Sequence, residues 1–294
     1  MNFLTYIVEN DLGSVETKYT FKELTTIGCG GEIECVYFPK GIESLQKAYR
    51  YIKEHNLRYF ILGNGSNVLA PDYFYSGIVI CLKKMPYKYE LENKTIRVSA
   101  FYPTISLAYD LASKNLGDLS FLGGIPGLLG GAIYNNSGAY KDNISNHVLE
   151  VKYIDTAGNI QCISNSMCAF GYRSSIFHYI EGIIIEATIR VESVDTKSIL
   201  EKRKRQRQQT QPLEARSMGS VFKNNPLIPT WKIVDALHLR GFRIGDAAIS
   251  AKHTNFIINI GNAKSRDILN LIELIETRSK LEFGIQLVSE ITIL

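Results

Sequence analysis

The chain has 294 residues, 45% of them apolar and 21% charged, with a formal net charge of +4 at neutral pH. That length suffices for two domains or one large one, and the composition is that of an ordinary globular protein, neither disordered nor of low complexity. The small positive charge admits anionic small ligands but does not argue for nucleic acid. Five cysteines, Cys29, Cys35, Cys81, Cys162 and Cys168, form no C-x-x-C pair. They read as buried thiols of a reducing compartment, not as a disulfide framework or a zinc site. The first residues lack the basic region and apolar core of a signal peptide, and no apolar run is long enough to span a bilayer, so a cytoplasmic protein is expected.

In chain order, apolar residues at Ile42, Leu45, Ala48, Tyr49 and Ile52 predict a helix over 42–54 that Asn56 can end. A buried-type strand, Tyr59–Leu62, breaks into Gly63-Asn64-Gly65-Ser66-Asn67. Val68 stands where a dinucleotide fingerprint has its third glycine, and no helix pattern follows, so the classical Rossmann motif fails. What survives is a polar glycine loop whose amides suit a pyrophosphate, although hairpin turns look much the same. Strands are expected at 77–82 and 95–99, and a helix at 104–115. Phe121–Tyr140 follows, with six glycines in twenty apolar-rich residues. Glycine without polarity means close backbone approach, either to a bound cofactor with phosphates and a flat ring or to another crossing of the core.

Further strands are expected at 148–155, 160–164 and 182–191, with a hairpin turn at Ala157-Gly158-Asn159 between the first two. Phe170–Phe177 is an irregular, aromatic-framed segment around Arg173. Asp195 caps a helix carrying Lys202-Arg-Lys-Arg205 and Arg207. A solvated helix between two domains is favoured over a nucleic-acid patch there, because no second basic patch or stacking platform accompanies it. Beyond it a smaller α+β unit is predicted, with helices at 231–239 and 266–282 and strands at 254–260 and 286–294.

No H-E-x-x-H, G-x-S-x-G, Walker loop or paired metal ligands occur, and no metal is expected. Three polar residues lie beside unusual backbone: Arg173, Ser220 after Gly219, and Glu290 in the last strand. Taken singly, a surface arginine, a turn hydroxyl and a solvated strand carboxylate are the commoner roles.

The pieces together resemble the UDP-N-acetylenolpyruvoylglucosamine reductase family. The resemblance rests on Thr25-Thr-Ile-Gly28, Leu62-Gly-Asn-Gly-Ser-Asn-Val-Leu69, Gly123-Gly-Ile-Pro-Gly127, Gly130-Gly-Ala132 and Asn136-Ser-Gly-Ala-Tyr140. It continues in Tyr172-Arg-Ser-Ser-Ile-Phe177, Gly219-Ser-Val-Phe-Lys-Asn224, Gly241-Phe-Arg-Ile-Gly245 and Glu290. It implies an α+β fold: an FAD-binding region of the vanillyl-alcohol-oxidase type over 1–195, in subdomains of about 1–80 and 81–195, and a substrate domain over 196–294. It also implies non-covalent FAD, NADPH as co-substrate, a UDP-sugar substrate, and a monomer without nucleic-acid or membrane partners. Flavin would contact Gly63, Asn64, Gly65, Ser66, Asn67, Gly123, Gly124, Ile125, Gly127, Gly130, Asn136, Ser137 and Gly138. Tyr172, Lys223 and Asn224 fall to the substrate.

On the family's pattern Arg173 would hold the substrate carboxylate as negative charge builds there, Ser220 would give a proton to the adjacent carbon, and Glu290 would share a hydrogen bond or proton with that carboxylate. The family's longer type has an inserted loop with a tyrosine; none is evident, so the chain resembles the shorter type. Cys29, Asn135, Lys141, Arg216 and Met218 depart from the usual pattern. A sugar or hydroxy-acid oxidase of the same flavin fold, or a flavin module without activity, would share the loops but would not need the Ser220 and Glu290 constellation.

Overall fold

A computed structural model describes residues 2–294. The chain opens with α1 (Phe3–Glu9), β1 (Gly13–Glu16), α2 (Phe21–Leu24), β2 (Ile33–Pro39) and α3 (Ile42–Glu54). Strands β3 (Tyr59–Leu62), β4 (Val68–Leu69), β5 (Tyr75–Cys81), β6 (Tyr89–Glu92) and β7 (Thr95–Ser99) follow. Next come α4 (Thr104–Ser113), α5 (Leu129–Tyr134), and the paired β8 (Gly138–Ala139) and β9 (Asp142–Asn143). Strands β10 (Val148–Ile154), β11 (Ile160–Ser164) and β12 (Ile183–Arg190) lead to α6 (Lys197–Thr210) and β13 (Arg216–Ser220). The chain closes with α7 (Thr230–Ala236), β14 (Arg243–Ile244), β15 (Ala247–Ile249), β16 (Phe256–Asn259), α8 (Ser265–Phe283) and β17 (Thr292–Ile293).

Two compact units emerge, one of residues up to 17, 35–64 and 77–205, the other of 18–34, 65–76 and 206–294. The expected boundary at 195/196 therefore falls ten residues later, and two early segments join the C-terminal unit. Leu200, 2% exposed, holds the first half of α6 in the core of the first unit. In the second unit β4 pairs in parallel with β17, Val68 opposite Thr292, a pairing too distant in sequence for local patterns to reveal.

The first unit has two larger sheets besides the β8–β9 hairpin. One has the order β1-β2-β5-β3 and shares a core with α3, whose buried Leu45, Ala48, Tyr49 and Ile52 recur at helical spacing. The other is antiparallel in the order β11-β10-β12-β7-β6, with Leu107, Leu111, Leu129 and Ile133 of α4 and α5 in its core. Strands β1, β2 and β6 are additions to the predicted set. Asn56 and Asn115 adopt left-handed φ values of 49° and 54°, and α3 and α4 stop just before them. The turn at 157–159 forms as expected: Gly158 has φ 78°, and Asp155 Oδ1 accepts the Ala157 and Asn159 amides.

In the second unit, the sheet β13-β16-β15-β14 shares a core with α7 and α8. Ile268, Leu271, Ile272 and Ile275 of α8 are buried at i, i+3, i+4 and i+7, each worth about 1.5–3 kcal/mol. The strand expected over 286–294 shrinks to Thr292–Ile293, because upstream of it only a single bridge forms, Ser289 to Phe222. All five cysteines are free, but Cys162 is exposed on edge strand β11 and Cys35 is half-buried, so the expectation of burial fails for these two. Among the described residues no helix is long and apolar enough to cross a membrane, and no group of His, Cys, Asp or Glu is placed to hold a metal.

Candidate functional site

The glycine loop of the first unit is braced by a single threonine. Thr104, fully buried at the start of α4, donates its N–H (3.0 Å) and hydroxyl (3.2 Å) to Gly127 O, and its hydroxyl also reaches Ile125 O. Leu129 and Gly130 donate to Tyr102 O and Ala100 O, laying α5 against the sheet. A Cβ on Gly130 would come within 3.2 Å of that of Ala100, so close approach of backbone explains this glycine. Gly131 differs: its Cβ direction meets nothing within 4 Å. The Gly127 carbonyl, which a helical Gly131 amide would use, is taken by Thr104. A backbone amide and bare glycine surface thus remain at the start of α5, while Phe121, Leu122 and Leu129 of the same segment are buried in the core. That composition fits a cofactor with phosphates and a flat ring, as the resemblance implies.

Downstream, the predicted cofactor residues 136–138 and Arg173 are brought together. Arg173 Nη2 donates to Gly138 O at 3.0 Å, and its guanidinium lies 5.3 Å from the Tyr172 ring centroid. Arg173 has φ 54°, inside a tight turn in which Gly171 and Ser174 exchange backbone hydrogen bonds. Asn136, only 7% exposed, does not present its side chain as a ligand group. Its Nδ2 donates to Gly171 O at 2.8 Å and its Oδ1 accepts from Ser145 N at 3.1 Å. Gly138 must be glycine, since a Cβ would lie 2.4 Å from Asp142 O across the β8–β9 hairpin. Below this hairpin His147 Nε2 lies 2.9 Å from Asp142 Oδ2, and Asn146 donates to Oδ1. Burial pushes the Asp142 carboxyl up, but hydrogen bonds from Asn146, His147 and the Asn143 amide outweigh it and hold it below its ordinary range.

In the second unit, Ser220 ends β13 opposite Phe256, after a register shift that contains Gly219 at φ 78°. Glu290 runs beside it. The Glu290 N–H donates to Val221 O at 2.8 Å, and Lys223 N donates to Val288 O at 2.9 Å. The Asn67 side chain is committed here: Nδ2 donates to Glu290 O at 2.9 Å, while its backbone oxygen accepts Thr292 N. Gly65, at φ 66°, is obligatory, because a Cβ would lie 2.3 Å from Leu24 O. Thr26 ties this loop to β13, its N–H donating to Gly65 O at 3.0 Å and its hydroxyl to Ser217 O at 2.6 Å. Asn224 Oδ1 accepts the Thr230 amide at the start of α7. The other expected cofactor residues, Gly63 and Asn64 in the first unit and Ser66 in the second, lie along the same half-exposed loop.

Several braces escape sequence reasoning. Asn255, 3% exposed, exchanges two hydrogen bonds with the Phe222 backbone, and Asn259 Nδ2 donates to Ile27 O and Gly28 O. Their signal in the chain is an asparagine at either end of an apolar strand pattern. The unusual residues also find places. Met218 is core, Arg216 packs over Gly28 and donates to Gly261 O, and Cys29 is buried with Ser265 Oγ 3.3 Å from its sulfur. Burial pushes the Cys29 thiol up, against the opposing effect of that hydroxyl.

Residues 211–294 match the family model for the UDP-N-acetylenolpyruvoylglucosamine reductase C-terminal domain, and residues 33–164 the model for an FAD binding domain. The chain is 33% identical over 292 residues to UDP-N-acetylenolpyruvoylglucosamine reductase 1 of Bacillus thuringiensis, covering 98% of this chain and 97% of that one. It is 34% identical over 298 residues to the reductase of Clostridium tetani, covering 100% and 96%. Among solved structures it is similar to UDP-N-acetylenolpyruvylglucosamine reductase from Thermus caldophilus, with a TM-score of 0.81 and 28% identity over 96% of this chain and 99% of that one.

Proposed function

The chain belongs to the UDP-N-acetylenolpyruvoylglucosamine reductase family, and on that footing we propose that it reduces UDP-N-acetylglucosamine enolpyruvate to UDP-N-acetylmuramate in peptidoglycan precursor synthesis, with bound FAD and with NADPH as reductant. The observation that carries the residue roles is the pairing of Glu290 N–H with Val221 O, which runs the extended segment bearing Glu290 beside Ser220. When bound, FAD supplies the hydride for the vinyl carbon of the substrate, having taken one from NADPH.

The chain's own residues manage the charge and the proton. Hydride addition leaves negative charge on the adjacent carbon and its carboxylate. Arg173, a permanent cation with a planar fork of donors, opposes that charge. Ser220 gives its hydroxyl proton to the adjacent carbon, which is basic enough at that moment to take it from a weak acid. Glu290 and the substrate carboxylate share one proton, which lets the pair hydrogen-bond where two bare carboxylates would repel. Lys223, Asn224 and Tyr172 serve the UDP-sugar. Thr104 holds the loop that receives the cofactor, and Gly131, whose Cβ direction meets nothing within 4 Å, leaves that surface free of a side chain. The first unit is then the FAD-binding region and most of the second the substrate domain, in a monomeric cytoplasmic enzyme.

The test is anaerobic absorbance of the purified holoprotein, with NADPH added first and the enolpyruvyl sugar nucleotide second. The flavin band is expected to bleach with NADPH and return with that substrate. Ser220→Ala should bleach normally and fail to recover on the same timescale. Recovery with oxygen but never with substrate would overturn the reading in favour of an oxidase, and equal loss of both steps in Ser220→Ala would remove the proton-donor role.

A further inference from the structure

Arg173 is held in a conformation that its own side chain does not favour. A left-handed φ costs an ordinary residue about 1–2 kcal/mol, so the surroundings must impose it. The turn is closed by the mutual Gly171 and Ser174 hydrogen bonds, but those fix only its width. What fixes its place are two buried side chains on either side of the arginine. On the N-terminal side, Asn136 Nδ2 donates to Gly171 O at 2.8 Å. On the C-terminal side, Ser175, fully buried, donates its hydroxyl to Tyr134 O at 2.7 Å. Both bonds end on the last turn of α5 and the residues just after it. A third tie lies nearby: the Tyr134 ring stacks on His178 with centroids 4.2 Å apart, and burial pushes the Tyr134 phenol up.

We propose that Asn136 and Ser175 are positioning residues that lock the Arg173 turn to the C-terminal end of α5, so that the guanidinium is presented against the glycine hairpin at Gly138 in one arrangement. The proposal rests on the reading of Arg173 as the group that opposes charge on the substrate carboxylate. It reassigns Asn136, expected from sequence as a cofactor contact, to a role acting through Arg173. Both donors are buried, Asn136 at 7% and Ser175 at 0% exposure, so deleting either one removes a tie between the turn and α5 and loosens its placement. With the clamp loosened, the strained φ at Arg173 is free to relax and the guanidinium loses its fixed aim. A displacement of about 1 Å at such a group costs up to about a hundredfold in rate. The cofactor's own reduction by NADPH makes no demand on the guanidinium.

The experiment uses Ser175→Ala, Asn136→Asp, Arg173→Ala and the double variant Ser175→Ala/Arg173→Ala as holoproteins. Asn136→Asp keeps an acceptor for Ser145 and replaces the donor to Gly171 with a charged oxygen that repels that carbonyl, and it carries the test if Ser175→Ala does not fold. Stopped-flow absorbance measures flavin bleaching by NADPH and its return with the enolpyruvyl sugar nucleotide separately. The single clamp variants are expected to slow the return by about tenfold to a hundredfold while bleaching stays within about twofold. In the double variant, Ser175→Ala should add nothing to the loss from Arg173→Ala, as expected for residues that act as one unit. A loss in the double variant equal to the full product of the two single losses would overturn the proposal in favour of general damage. So would an unchanged return step in both clamp variants. If Arg173→Ala itself leaves the return step intact, the premise about Arg173 fails, an outcome separate from either.

Discussion

At the scale of single residues, buried and half-buried polar side chains organise this protein more than its charged ones do. Thr26, Asn67, Thr104, Asn136, Ser175 and Asn255 each satisfy backbone groups of a loop or irregular strand, where regular structure leaves those groups open. Asp142 belongs with them, and its depressed ionisation has a consequence for pH. A carboxyl that ionises more readily when folded contributes stability above its unfolded-state value, about 3.9, and loses it as pH falls through the folded value. The urea midpoint of the wild type is therefore expected to fall more steeply between about pH 5 and pH 3 than that of Asp142→Asn. Identical slopes would show that the hairpin is held without this carboxylate.

At the scale of elements, the β8–β9 hairpin shows what the departure at Lys141 costs. Tyr140 and Lys141 both lie in the left-handed region, with φ 58° and 65°, as the two central residues of a tight hairpin require. Such turns prefer asparagine and glycine, and a lysine there is strained. Lys141→Gly is expected to stabilise the protein by about 1 kcal/mol, after the entropy that glycine adds to the unfolded chain is set against the relieved strain. The readout is a rise in melting temperature of about 2–4 °C, and a fall would mean that the lysine stem makes compensating contacts. Regular elements were legible from periodicity: α3, β3, β7 and β11 match their expected bounds, and α8 lies within one residue at each end. The strand expected to carry Glu290 was not, since extended residues become a strand only where a partner is continuous.

At the scale of the whole molecule, each of the two units closes its own hydrophobic interior, and the second is assembled from three separated stretches of chain. Ligand binding adds to the stability of whichever fold holds it. Free FAD at about a hundred times its dissociation constant should add about 2.7 kcal/mol to the apoprotein, read as a higher melting temperature on FAD addition. A melting curve indifferent to FAD would contradict the cofactor assignment. From sequence alone came the α+β class, the family, the glycine positions and the proposal of Arg173, Ser220 and Glu290 as the reacting residues. These depend on residue type and short-range order, where periodicity, turn chemistry and motif spacing are written directly in the chain. Only the tertiary structure decided that residues 18–34 and 65–76 join the C-terminal unit, that Asn67 holds the backbone at Glu290, and that Asn136 and Ser175 tie down the Arg173 turn. Those depend on which carbonyl a buried donor meets across 35 to more than 200 residues of chain, and local sequence carries no record of that partner.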